Sequence, residues 1–163
     1  MENLTAFIAN AQGEPSAWPL LELVPHDKPM SLLDEVVRVA PGELLAQVTL
    51  HRDSVFAEAE GVPAVIGIEY MAQAVAACAG HAALSVGGKV QLGFLVGTRR
   101  YRSNCAFFPL NETLWVHVKE LVQGDNGLSV FECRIRSERV DISANLNVFQ
   151  PEDPAQFLAQ ADA

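Results

Sequence analysis

Charge is nearly missing from one long stretch of this chain. Between Gly61 and Gly88 the run GVPAVIGIEYMAQAVAACAGHAALSVGG carries one formal charge, Glu69. Such a run predicts burial, and a buried carboxylate is costly unless it is paired, hydrogen-bonded or neutral. Glu69 is therefore a functional-site candidate from the outset. Positive charge is also scarce: 11 Lys and Arg stand against 20 Asp and Glu, a formal net charge of −9. That balance argues against sequence-independent binding of nucleic acid, which needs a basic surface to displace counterions. Cys78, Cys105 and Cys133 form an odd set without metal-ligand spacing, which fits a reducing, cytoplasmic setting and no metal site. The start, MENLTAFIANAQGEPSAW, lacks the basic residues and apolar core of a signal peptide. A membrane span is not expected either. The run from Pro63 to Gly80 is rich in Ala rather than Leu, includes Glu69 and Gln73, and has no aromatic or basic belt.

What is present reads as one domain. Residues 1–23 form a lead-in with room for a short helix, residues 24–150 the domain, and residues 151–163 a loose tail. SLLDEVVRVA and ELLAQVTL around Pro41-Gly42 predict a hairpin. HRDSVFAEAEG reads as a polar loop. Val62 and Pro63 are expected to open the Ala-rich helix, with proline in its first turn, and Gly80 to Gly88 to end it. Strands are then predicted in KVQLGFLVGTRRYRS, TLWVHVKELVQ, LSVFECRIRS and RVDISANLNVF, with a turn at Gly124-Asp125-Asn126-Gly127. A helix apolar on nearly every side must be enclosed. The simplest answer is an α+β fold in which a curved antiparallel sheet wraps around it. One sheet covers only part of such a helix, so a partner subunit is expected to cover more.

Two motifs carry a resemblance. VPHDKPMSLLDEVV (Val24 to Val37) is similar to a Leu-Pro-His…Pro…Leu-Leu-Asp signature, and IEYMAQAVA (Ile68 to Ala76) to a Glu-x-Met-Ala-Gln helix motif. Both resemble the hotdog-fold 3-hydroxyacyl-acyl-carrier-protein dehydratases of the FabA/FabZ type. VPAVIGIEYMAQA, GFLVGTRRY and the NVFQP ending are similar to a divergent branch, the ApeP-like dehydratases of aryl-polyene biosynthesis. The resemblance implies a homodimer or a heterodimer with another hotdog protein, and an acyl carrier protein as partner. The phosphopantetheine arrives on that carrier, and no further cofactor is implied. One departure matters. The resemblance places a histidine in a loop some fourteen residues before the helix Glu, yet none occurs between Arg52 and Gly80.

Dehydration needs a positioned acid/base and donors for a developing enolate oxygen. Glu69 is the carboxylate, and helix-start amides near Ala64 and Val65 are candidate donors. Gln73, four residues on, shares a helical face with Glu69 and either orients it or serves as a core amide. His26, in the first motif, is a candidate for the missing imidazole or else braces its loop, and His51, after the hairpin, is a second candidate. His81 and His117 read as structural or surface residues. Arg99, Arg100 and Arg102 surround Tyr101, and strand alternation puts Arg100 and Arg102 on one face. Such a patch suits an acidic carrier or a phosphate, or blunts a strand edge. Gly93 and Gly97 permit close approach of an arm or a bulge in the strand. Trp115, Phe107, Phe108 and the helix alanines line an acyl tunnel or fill the core. Two other readings stand beside the dehydratase: a non-catalytic hotdog partner subunit, and a thioesterase whose helix carboxylate activates water.

Overall fold

The computed structural model describes residues 2–162. Two short helices come first, α1 (Leu4–Asn10) and α2 (Leu20–Leu23). β1 (Glu35–Ala40) and β2 (Glu43–Thr49) form the expected hairpin, with Gly42 in the left-handed region at φ 72°. Val62 and Pro63 do not open the helix. They form β3 (Val62–Pro63), and a 3-10 turn at Ala64–Ile66 leads into α3 (Gly67–Ser85). α3 ends at Ser85, inside the Gly80 to Gly88 stretch expected to end it, with Gly80 still helical. β4 (Phe94–Ser103), β5 (Phe107–Phe108), β6 (Thr113–Gln123), β7 (Leu128–Arg136) and β8 (Asp141–Phe149) follow. The segment expected to be a loose tail contains α4 (Pro154–Ala161), capped by Asp153, whose side chain accepts from the Gln156 amide at 3.0 Å.

Six strands make one antiparallel sheet in the order β1-β2-β6-β7-β8-β4, and β3 pairs only with β5. Period-two alternation sorts the two faces. Leu44, Ala46, Val116, Val118, Ile142 and Leu146 turn inward, fully or nearly fully buried with Met71, Ala74 and Ala77 of α3. Trp115 and His117 alternate with these on β6 and so face outward. Trp115 therefore lines no tunnel: it packs in a second, outer cluster with Phe7 and Ala11 of the N-terminal segment and Leu45. Phe108 is sealed in the core, its ring 5.8 Å from that of Tyr70.

On the outer face His117 Nε2 lies 2.7 Å from Glu43 Oε1, and the Gln12 amide donates to the same oxygen at 3.2 Å. Desolvation pushes the Glu43 carboxyl up, but the hydrogen bonds from His117 and Gln12 and the nearby His117 and Lys119 charges together bring it below its ordinary value. A depressed carboxylate adds stability above its unfolded value and loses it as pH falls through the folded one. Glu43→Gln should therefore flatten the fall in thermal midpoint below about pH 4.5. A titration of midpoint against pH checks this; an unaltered acid limb would show that the pair does not set it. Among the described residues, no helix is long and apolar enough to cross a membrane.

Candidate active site at the head of an apolar groove

Glu69 sits in the first turn of α3, where the positive end of the helix favours a carboxylate. The burial expected of it is only partial, since its side chain stays 41% exposed at the mouth of a groove. The loop after α2 brings His26 to this point: His26 Nε2 lies 4.0 Å from Glu69 Oε1. That is within ion-pair range but longer than a hydrogen bond. The other ring nitrogen of His26, Nδ1, is buried without a partner.

Gln73 explains how the two are held. It is 1% exposed, and its amide nitrogen donates to Glu69 Oε1 at 3.0 Å and to the Met30 carbonyl at 2.7 Å. Its oxygen accepts the Leu32 amide at 2.8 Å. One side chain thus fixes the carboxylate and stitches the His26-bearing loop to α3, so the orienting and core roles coincide. Gln73→Leu would leave the Met30 carbonyl and the Leu32 amide unpaired, a loss of about 1–3 kcal/mol. We expect a lower unfolding midpoint in denaturant, and an unchanged midpoint would contradict the stitching role.

The groove encloses about 1000 Å³. Glu69 and His26 stand at one end, and Ala72, Ala76, Ala79 and Ala83 form a small-residue floor along α3. Gly93 lines it as well. Cys78 also borders it, but burial, helped by the Glu120 and Glu43 charges, pushes its thiol up to about 12. It remains a neutral thiol rather than a nucleophile.

The remaining candidates are placed elsewhere. The Ala64 amide is committed to the Ala106 carbonyl at 2.9 Å, so of the two proposed donors only the Val65 amide is left for a ligand. The Ala64 carbonyl accepts from the Tyr101 hydroxyl, which ties β4 to the start of α3. His51 is exposed in the turn after β2 and does not line the groove. His81 stacks edge-on against Trp18 at 5.3 Å.

Strict alternation fails in β4. Its register against β8 shifts between Arg99 and Arg102, and Arg100 adopts φ 55°. An extra residue in a bulge re-aims the side chains around it. Arg99 and Arg100 consequently share one concavity of about 560 Å³ with Asn145, Asn147 and Ser129, while Arg102 lines neither cavity. Asn145 and Asn147 alternate with buried Ala144 and Leu146, so this concavity opens on the outer face, away from the groove. Among the described residues no carboxylate pairs with Arg99, Arg100 or Arg102, and no cluster of His, Cys, Asp and Glu could hold a metal. The pairing of β3 with β5, and Phe94 and Phe149 on the groove, carried no sequence signal beyond apolar character.

Comparison with known proteins agrees with this architecture. A chain of the dehydratase heterocomplex ApeI:P from Xenorhabdus doucetiae is similar over 90% of this chain and 99% of its own, with 28% identity and a TM-score of 0.82. A hypothetical thioesterase from Streptococcus pneumoniae, solved with coenzyme A, shares the fold at 15% identity and a TM-score of 0.54, over 71% of this chain and 84% of that one. The PaaI protein of the E. coli phenylacetic acid degradation operon does so at 11% identity and a TM-score of 0.55, over 70% and 80%. No curated protein matches the chain. The model of the ApeP-like family, described as ApeP dehydratase, matches residues 18–159. An antiparallel sheet packed on one central helix, with that match across most of its length, makes this chain a hotdog-fold member of the ApeP-like dehydratase family.

Proposed function

We propose that this chain dehydrates 3-hydroxyacyl thioesters delivered on an acyl carrier protein, as one subunit of a paired hotdog assembly in aryl-polyene biosynthesis. The observation that carries this reading is the approach of His26 to Glu69, 4.0 Å apart, at the head of an alanine-floored groove. One of the pair removes a proton from C2 and the other gives a proton to the 3-hydroxyl. The C2–H electron pair becomes the C2=C3 π bond as the C3–O bond breaks, and water leaves. The Val65 amide donates to the thioester oxygen as charge develops there.

Pairing is supported by the exposure of Val65, Val86 and Val96, by the open groove, and by the ApeI:P heterocomplex to which the chain is similar. Carrier docking is supported by unpaired arginines on a chain of net charge −9. Such charges attract an acidic partner, here to the outer face of the sheet rather than to the mouth of the groove.

A second reading has its own support. The acidic loop before α3 lacks a histidine, and 4.0 Å is too long for a hydrogen bond. The chain would then shape the groove of an active hotdog partner. The test incubates the purified chain with a 3-hydroxyacyl carrier protein, alone and mixed with a second hotdog dehydratase subunit. Enoyl product that depends on Glu69 supports the dehydratase. Turnover only in the mixture, unaffected by Glu69→Gln, supports the partner reading. Free acid would show a thioesterase instead.

A further inference from the structure

The groove has a far end, and its wall is aromatic. Tyr101 fixes β4 at the N-terminal end of α3 through the Ala64 carbonyl. Phe94 lies seven residues earlier on the same strand, which carries it about 20 Å toward the C-terminal end of α3. The floor from Glu69 to Ala83 rises by about 21 Å over the same course. Phe94 and Phe149 both line the groove there.

Both rings are braced from behind. Phe157 of α4 packs on Phe94 at 5.0 Å and on Phe149 at 5.3 Å between ring centroids. A Cβ built on Gly127 would stand 3.2 Å from Phe149 and 2.5 Å from the Gln150 carbonyl oxygen, so the β6–β7 turn presses on the same ring. None of the α4 residues is buried, which leaves its aromatic contacts as the anchor visible in the packing.

Resting on the dehydratase reading of the groove, we infer that Phe94 and Phe149 set the longest acyl chain accepted, with Phe157 as the positioning residue that holds them. The alanine floor admits an extended chain from Glu69, and the two rings line the groove where that floor ends. Phe157 touches no substrate; it acts through the two rings it supports.

The test measures binding, by calorimetry, of acyl-pantetheine thioethers of increasing even chain length to the full chain, with its hotdog partner where the two purify together. These probes cannot be dehydrated or hydrolysed, so the reading is independent of turnover. Affinity should rise with length and then break. In Phe94→Ala and Phe157→Ala the break should move out by about two carbons, with about tenfold tighter binding of the first excluded chain. In Phe94→Trp it should move inward. Shifts of opposite sign cannot come from misfolding. An unchanged break in all three variants overturns the wall while leaving the groove intact. No binding at any length overturns the acyl-groove reading and the wall together.

Discussion

Glu69→Gln should lower enoyl formation by about 100-fold to 10,000-fold, the range of a lost acid/base. The change is nearly isosteric, and an amide oxygen can still accept from Gln73 Nε2 as the carboxylate does at 3.0 Å. The stitch from Gln73 to Met30 and Leu32 is untouched, so the thermal midpoint should hold within about 2 °C. What disappears is the ability to carry a proton. His26→Ala should reduce turnover in the same assay by a smaller factor, because water can reach a position beside Glu69 that is already 41% exposed. Full activity in Glu69→Gln would assign the chemistry to another subunit.

Gly80→Ala should cost both stability and activity. Alanine is the better helix former by about 1 kcal/mol, so this interior position would ordinarily gain from the change. Here a Cβ would stand 1.9 Å from the Leu23 carbonyl oxygen and 2.8 Å from its carbon. Both are backbone atoms of α2 and cannot rotate away. Overpacking of this kind outweighs propensity and leaves a net loss of about 1–3 kcal/mol, or a midpoint lower by about 5 °C. The chain runs from Leu23 through Val24 and Pro25 to His26, so displacing α2 also carries the imidazole from Glu69. Scanning calorimetry and kcat/KM on one preparation check the two effects. A stabilised, fully active variant would show that α2 does not place His26.

These outcomes rest on features of unequal visibility in the sequence. The β1–β2 hairpin, the four later strands and the central helix were legible because alternation, turn dipeptides and an uncharged Ala-rich run are local signals. Glu69 stood out for the same reason, but His26 and His51 were both left as candidates beside it, because the fold of the loop after α2 that brings His26 to 4.0 Å from Glu69 is not a local signal. The start of α3 was misplaced, since Val62 and Pro63 pair with Phe107 and Phe108, a contact across more than forty positions. Arg99 and Arg100 were assigned to opposite faces because a bulge depends on the neighbouring strand. Trp115 was left between tunnel and core, and β6 register decided it by turning the ring into a second apolar cluster against the N-terminal helix. The tail was read as loose because an eight-residue helix gains its order from Phe157 meeting two distant rings.

The central claim is that a carrier-bound 3-hydroxyacyl chain loses water at the Glu69 end of the groove. Intact-protein mass spectrometry of the acyl carrier protein, after incubation with the full chain and its hotdog partner, tests it most directly. The account predicts a carrier lighter by one water, its thioester intact, for the native chain and not for Glu69→Gln. An unchanged carrier, a carrier stripped of its acyl group, or equal loss of water with Glu69→Gln would contradict it.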